Sequence, residues 1–219
     1  MTDATVEMGG EEVRLLPERA LYWSGGETLV VADLHWGKGA TFRSAGIPVP
    51  RGTTRHDLAR LGEALARTAA RRLVVLGDLF HAKAGRVAVE TLAELEDWRE
   101  AHAGIDILLV RGNHDRHAGD PPLELGIACV TPPRHETPFV FQHHPSESAH
   151  GYTLAGHLHP CLTLAGPALL RERLPCFVVG PRLAILPAFG SFTGHCAVEP
   201  AAHDRIFVVA ENEVVATHV

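Results

Sequence analysis

The chain has no long hydrophobic run, no closely paired cysteines and very little tyrosine or methionine. No apolar stretch nears the roughly 18 residues that suggest a membrane-spanning helix, so no membrane association is expected. Met1 to Leu16 lacks the basic stretch and apolar core of a secretory signal, which leads to the expectation of a cytoplasmic protein. The four cysteines, Cys129, Cys161, Cys176 and Cys196, form no CxxC pair. This excludes a zinc ribbon and a thioredoxin-type motif, and small buried residues are expected instead. Positive charge is also scarce, with 20 Lys and Arg against 26 Asp and Glu for a net charge of −6. A protein that coats nucleic acid by bulk electrostatics is thereby excluded. With 46% apolar and 21% charged residues, the chain is neither disordered, collagen-like nor a coiled coil. Its 219 residues suit one domain, residues 1–219.

Histidine, by contrast, is abundant: 15 residues against 2 Tyr and 2 Met. It is the commonest metal ligand and the usual acid/base near neutral pH. Short, often β-branched runs predict strands at Thr28–Ala32, Leu73–Leu76, Ile105–Val110, Pro138–Phe141, Tyr152–Ala155, Cys176–Val179, Leu183–Leu186 and Ile206–Ala210. Helical spacing of Leu58, Leu61 and Leu65 predicts a helix over Thr53–Ala70, capped by Thr53 or Thr54. Leu92, Leu95 and Trp98 predict a second helix over Arg86–Ala103, ended by Gly104. Strands alternating with helices in the first half predict an α/β domain with parallel pairing there. The strand-rich second half predicts hairpins.

Five successive apolar runs end in polar ligand-type residues: Asp33-Leu34-His35, Gly77-Asp78-Leu79-Phe80-His81, Gly112-Asn113-His114-Asp115, His143-His144 and Gly156-His157-Leu158-His159. In open α/β sheets ligands bind at the carboxyl ends of strands. In an extended segment residues i and i+2 share a side, so Asp33 and His35 are expected to converge, and likewise His157 and His159. Imidazole, carboxylate and amide oxygen together suit Mn, Fe or Zn. The remaining histidines, His56, His102, His117, His135, His150, His195, His203 and His218, read as structural or surface residues.

The ordered set Asp-x-His, Gly-Asp-x-x-His, Gly-Asn-His-Asp, a His segment and Gly-His-x-His resembles the calcineurin-like metallophosphoesterases. Asp33–Lys38, Ala45–Gly52 and Leu186–Gly194 narrow the resemblance to the bacterial ligase-associated DNA damage response endonucleases, the PdeM branch. The resemblance implies a four-layer α-β-β-α sandwich with mixed sheets and a two-metal phosphodiester hydrolase, with manganese the expected ion. It assigns Asp33, His35 and His159 to one metal and Asn113, His143 and His157 to the other, with Asp78 bridging. His144 stands beside His143 as the other candidate. His114 matches the catalytic histidine, and Asp115 is expected to orient it. His81, Arg111, Arg116 and His144 are candidates for substrate contact. Lys38, Arg43 and Arg51 read equally as phosphate contacts or solvated loop charges. Trp36 and Phe42 are expected to pack, and Phe189 and Phe192 to fill a core turn. The implied substrate is DNA or another phosphodiester, and the implied partners are a DNA ligase and helicase of a repair operon. A small-molecule phosphodiesterase or nucleotide phosphatase shares the same centre, and a non-catalytic recruitment subunit is a third reading.

Overall fold

Alternation of apolar and polar residues begins at the N-terminus. Val6 and Met8 of β1 (Ala4–Met8) and Val13 and Leu15 of β2 (Glu11–Leu16) point inward, while Thr5, Glu7 and Glu12 are exposed. The sheet continues through β3 (Ala20–Trp23), β4 (Thr28–Val31), β5 (Arg72–Val75), β6 (Asp106–Val110) and β7 (Ile127–Val130), in chain order. Pairing is antiparallel from β1 to β4 and parallel from β4 to β7, as the alternation of strands and helices predicts. The computed structural model describes residues 1–165 and 171–217; His218 lies outside them.

The second sheet contains β8 (Arg134–Glu136), β9 (Phe139–Phe141), β10 (Tyr152–Ala155), β11 (Pro160–Ala165), β12 (Arg171–Val179), β13 (Leu183–Ile185) and β14 (Cys196–Ala197). Their order is β14-β11-β12-β13-β10-β9-β8, and β15 (Arg205–Ala210) and β16 (Glu213–Thr217) attach through β12. Hairpins dominate as expected, but β9, β10 and β13 run parallel. The carboxyl ends of β9 and β10 therefore share an edge.

The helices are α1 (Lys38–Ser44), α2 (Thr53–Thr68), α3 (Lys83–Arg86), α4 (Val89–Ala101) and α5 (Asn113–Ala118). Leu58, Leu61 and Leu65 of α2 and Leu95 and Trp98 of α4 join Leu29, Leu73 and Leu109 in a core on the outer face of the first sheet. Val30, Val74 and Val110 on the opposite face meet Phe139, Phe141, Leu154 and Phe177 between the sheets. The outer face of the second sheet carries a smaller cluster around Cys176, Val178, Ile206 and Val208. The architecture is a mixed α/β sandwich, with its described α-helices confined to residues 38–118.

Several local expectations shift. Gly52, in the left-handed conformation, precedes α2, and neither Thr53 nor Thr54 caps it through its side chain. The second expected helix is broken at Val87–Ala88 into α3 and α4, and its end falls at His102, before Gly104. Three cysteines are at least partly buried, but Cys196 is exposed, on the short edge strand β14.

Candidate metal centre

The segments leaving β4 and β5 continue side by side after the strands end. Asp33 N donates to Gly77 O at 3.2 Å, His35 N to Asp78 O at 2.9 Å and Trp36 N to Leu79 O at 2.8 Å. This lacing places Asp33, His35 and Asp78 on one carboxyl-terminal edge. Asn113 and His114 enter from the first turn of α5, after β6. From the second sheet, His143 follows β9, and His157 and His159 follow β10. The sheets are tied here by bonds from the His157 backbone N–H to Asp33 Oδ2 (2.8 Å) and from Gly190 N to Asp33 O (3.1 Å).

Asp33, His35, Asp78, His157 and His159 all have positive φ, between 48° and 74°. Non-glycine residues rarely adopt this region, and its cost of order 1–3 kcal/mol each is tolerated mainly at functional sites. It also corrects the i, i+2 reasoning. Asp33 and His35 do converge, but through left-handed turns. His157 and His159 face different groups: His159 joins Asp33 and His35, and His157 joins His143 and His144. Alternation holds only for extended backbone.

Two glycines allow the close approach. Gly77 has φ +83°, and a Cβ there would strike the His143 ring; a Cβ on Gly112 would strike the Asp78 carboxylate.

The donor atoms form two adjoining groups. His159 Nε2 lies 3.3 Å from His35 Nε2 and 3.4 Å from Asp33 Oδ1. His143 Nε2 lies 2.8 Å from Asn113 Oδ1 and 3.1 Å from His157 Nδ1. Asp78 Oδ2 stands between them, 3.8 Å from His35 Nε2 and 3.4 Å from His143 Nε2. All seven expected ligand residues thus meet.

The hydrogen-bond accounting fits cations at these positions. His143 Nδ1 donates to Leu76 O at 2.9 Å and His159 Nδ1 to Gly194 O at 3.0 Å. Each Nε2 is left with a bare lone pair aimed into the centre, the usual arrangement of a metal-binding histidine. Asp33 Oδ1 is buried with no hydrogen-bond partner. Lone pairs converging on lone pairs at about 3 Å need positive charge between them.

Burial, reinforced by His159, His114, His81 and Lys38, drives the His35 pKa down to about 2. Burial and then His143 and His144 lower that of His157. Burial also disfavours a proton on His159, but the neighbouring Asp33 carboxylate outweighs it and raises its pKa, so a cation there would have to displace a proton. Burial raises the Asp78 pKa, offset in part by His143. Burial thus favours the neutral, ligating form at His35 and His157.

His114 lies at the mouth. Its backbone N–H donates to Asp78 Oδ1 at 2.9 Å, its Nδ1 donates to His81 O at 2.7 Å, and its Nε2 is 4.0 Å from Asp78 Oδ2. The His81 carbonyl therefore orients it, which corrects the role expected of Asp115. The buried Asp115 carboxylate accepts from Asp78 N (2.8 Å), Leu79 N (3.0 Å) and Gly112 N (2.7 Å). It pins two ligand loops together. The His81 ring stacks on His114 at 5.1 Å, beside the centre. His143 is fully buried within both the Asp78 and the His157 groups, whereas His144 is exposed and packs against His157 at 4.1 Å. Arg116 is exposed on the His144 side and helps lower the His144 pKa, after burial and His143.

Arg111 is committed to Asp120 by two bonds of 2.7 Å. Arg43 donates to Pro50 O at 3.0 Å and pairs with Glu90, and Arg51 lies 3.5 Å from the same carboxylate. These three read as structural. Trp36 is buried, as expected, in the core with Trp98.

Sequence reasoning missed Asp57, a buried acid on the apolar face of α2. Its carboxylate accepts from Ser191 N at 3.1 Å, and Arg60 reaches the Phe189 carbonyl. The 186–194 segment is so fixed that Gly194 O meets His159. An acid next to Leu58 and one turn before Leu61 was the available signal.

A mixed α/β sandwich with His and Asp donor groups gathered at one sheet edge defines a protein able to hold divalent cations there. The calcineurin-like phosphoesterase family profile matches residues 27–164, and the chain belongs to that family. The crystal structure of Pseudomonas putida nuclease MPE superposes with a TM-score of 0.86 at 40% identity, covering 98% of this chain and 100% of that one. YfcE, a phosphoesterase from E. coli, gives a TM-score of 0.39 at 14% identity over 84% of this chain and 87% of that one. Comparison with curated proteins yields no match.

Proposed function

We propose that the chain, acting as a single domain over residues 1–219, is a two-metal phosphodiesterase that cleaves DNA in ligase-linked repair in the cytoplasm. The observation that carries the metal assignment is the place of Asp78 Oδ2 between the two donor groups. Asp33, His35 and His159 would hold one ion, Asn113, His143 and His157 the other, and Asp78 would bridge. Carboxylate, amide and imidazole donors suit manganese, with iron or zinc also accommodated. Bound there, two divalent cations would supply charge that neutralises phosphoryl oxygens and makes a water acidic enough to attack phosphorus.

The chain's own residues supply the rest. His114, with Nδ1 engaged by His81 O, turns Nε2 toward the centre. As imidazolium it can pass that proton to the leaving oxygen. Arg116, His144 and His81 border the centre, where a substrate phosphate or sugar would lie. The likeness to the P. putida nuclease supports a nucleic acid as substrate, and the PdeM resemblance supports DNA, with a DNA ligase and helicase as partners.

Hydrolysis of bis-p-nitrophenyl phosphate with manganese tests the reaction, and no turnover with any divalent ion would refute it. Cleavage of DNA compared with cyclic nucleotides then decides between the nuclease and a small-molecule phosphodiesterase. Asp78→Asn should lose most activity and at least one metal per chain; full metal content by elemental analysis would remove Asp78 from the bridge.

A further inference from the structure

Phe42 and Phe192 come from distant segments, α1 and the loop after β13, and meet edge to face at 5.6 Å. Both are only half-buried. Neither belongs to any of the three core clusters, so the expected core turn is filled by Phe189 alone. The two rings continue a row that starts at the metal centre. His35 to His81 is 5.5 Å between ring centroids, and His81 to Phe42 is 5.9 Å. The Lys38 ammonium stands 5.9 Å from the Phe42 centroid and 5.7 Å from that of Phe192. Burial pulls its pKa below that of a free lysine. Among the described residues its charged and titratable neighbours are the histidines of the centre, His35 and His81.

We propose that Lys38, Phe42 and Phe192 form a nucleoside subsite beside the metal centre, resting on the phosphodiesterase reading above. A base of the nucleotide adjoining the scissile phosphate stacks on the phenyl pair, and the ammonium takes the neighbouring phosphate. Ring faces tolerate any base, and a cation over them binds backbone, the combination by which proteins hold a nucleic-acid strand without reading its sequence. The Asp57–Ser191 tether holds Phe192 in place from the far side.

The test compares oligothymidylate with the same chain carrying tetrahydrofuran in place of every nucleoside, both with manganese. Phe192→Ala should lower kcat/KM on oligothymidylate about ten-fold, the scale of one stacked base, and leave the base-free chain unchanged. Lys38→Ala should lower both. Phe192→Leu, which keeps volume but not the π-face, guards against a folding defect and should behave like Phe192→Ala. In an independent readout, 2-aminopurine in a strand bound with calcium should be quenched by the wild-type protein and not by Phe192→Ala. An equal loss on both chains, or no loss on either, would overturn the subsite while leaving hydrolysis intact. Hydrolysis of bis-p-nitrophenyl phosphate without cleavage of either chain would overturn the nucleic-acid reading and the subsite with it.

Discussion

His114 and Asp115 are neighbours with separate tasks. His114 belongs to neither the Asp33 nor the His143 donor group, but it gathers with His35 and His81 in an adjoining cluster. His114→Ala should keep both metals and slow turnover about 10²–10⁴-fold, the range for loss of a general acid. A near-normal rate on a poor leaving group would count against that role. Asp115 gathers three backbone N–H groups from two loops. The motif made both residues visible in the sequence but not this division of labour, because a backbone N–H acceptor leaves no trace in residue spacing. The His143/His144 choice was likewise open in sequence; burial and the Leu76 carbonyl favour His143.

At the scale of elements, strand-end motifs were the legible part. Each of the five apolar runs becomes a strand or leads into one, and each delivers its polar residues to the same edge. The first three strands were not expected, although Val6/Met8 and Val13/Leu15 alternate with Thr5, Glu7 and Glu12; their interleaved charges hide short apolar signals. The 186–194 segment was recognisable as a motif, but its work depends on Asp57 of α2, 134 residues from Ser191 in sequence. Asp57→Ala should leave the fold intact yet release this segment and with it the Gly194 carbonyl that orients His159. The expected outcome is weaker retention of metal by the Asp33 group, on the 10–100-fold scale seen when a ligand's supporting partner is lost. Titration with manganese against a chelator would read it, and unchanged affinity would show that His159 needs no such support.

For the molecule as a whole, removing metal should make stability acid-sensitive in a defined window. Folded His35, with its pKa near 2, refuses the proton that the unfolded chain accepts near the ordinary value of 6.5. His81, lowered to about 4 by burial first and Lys38 second, acts in the same direction. At these sites, and at His157, the unfolded state binds more protons below pH 6.5; His159 and Asp78, whose pKa values are raised, oppose them, and with the larger shifts on the lowered side stability should fall as pH drops from there toward 4. Urea midpoints of the chelator-treated protein at pH 7 and pH 5 would check this. A higher midpoint at pH 5 would contradict the burial of His35.

The two donor groups draw on both halves of the chain. Asp33, His35, Asp78 and Asn113 hang from the first sheet, and His143, His157 and His159 from the second. Between the sheets lies an apolar interface whose packing has no direction of its own. At the edge where the seven residues meet, the centre is a clasp. It fastens one half to the other with directional bonds, from His157 N to Asp33 Oδ2 and from Gly190 N to Asp33 O, and ions held as proposed would add to them. The two leaves are also joined elsewhere, by Thr2 to Asn212 and by Arg72 to Glu136, but the chemistry is placed at this fastening.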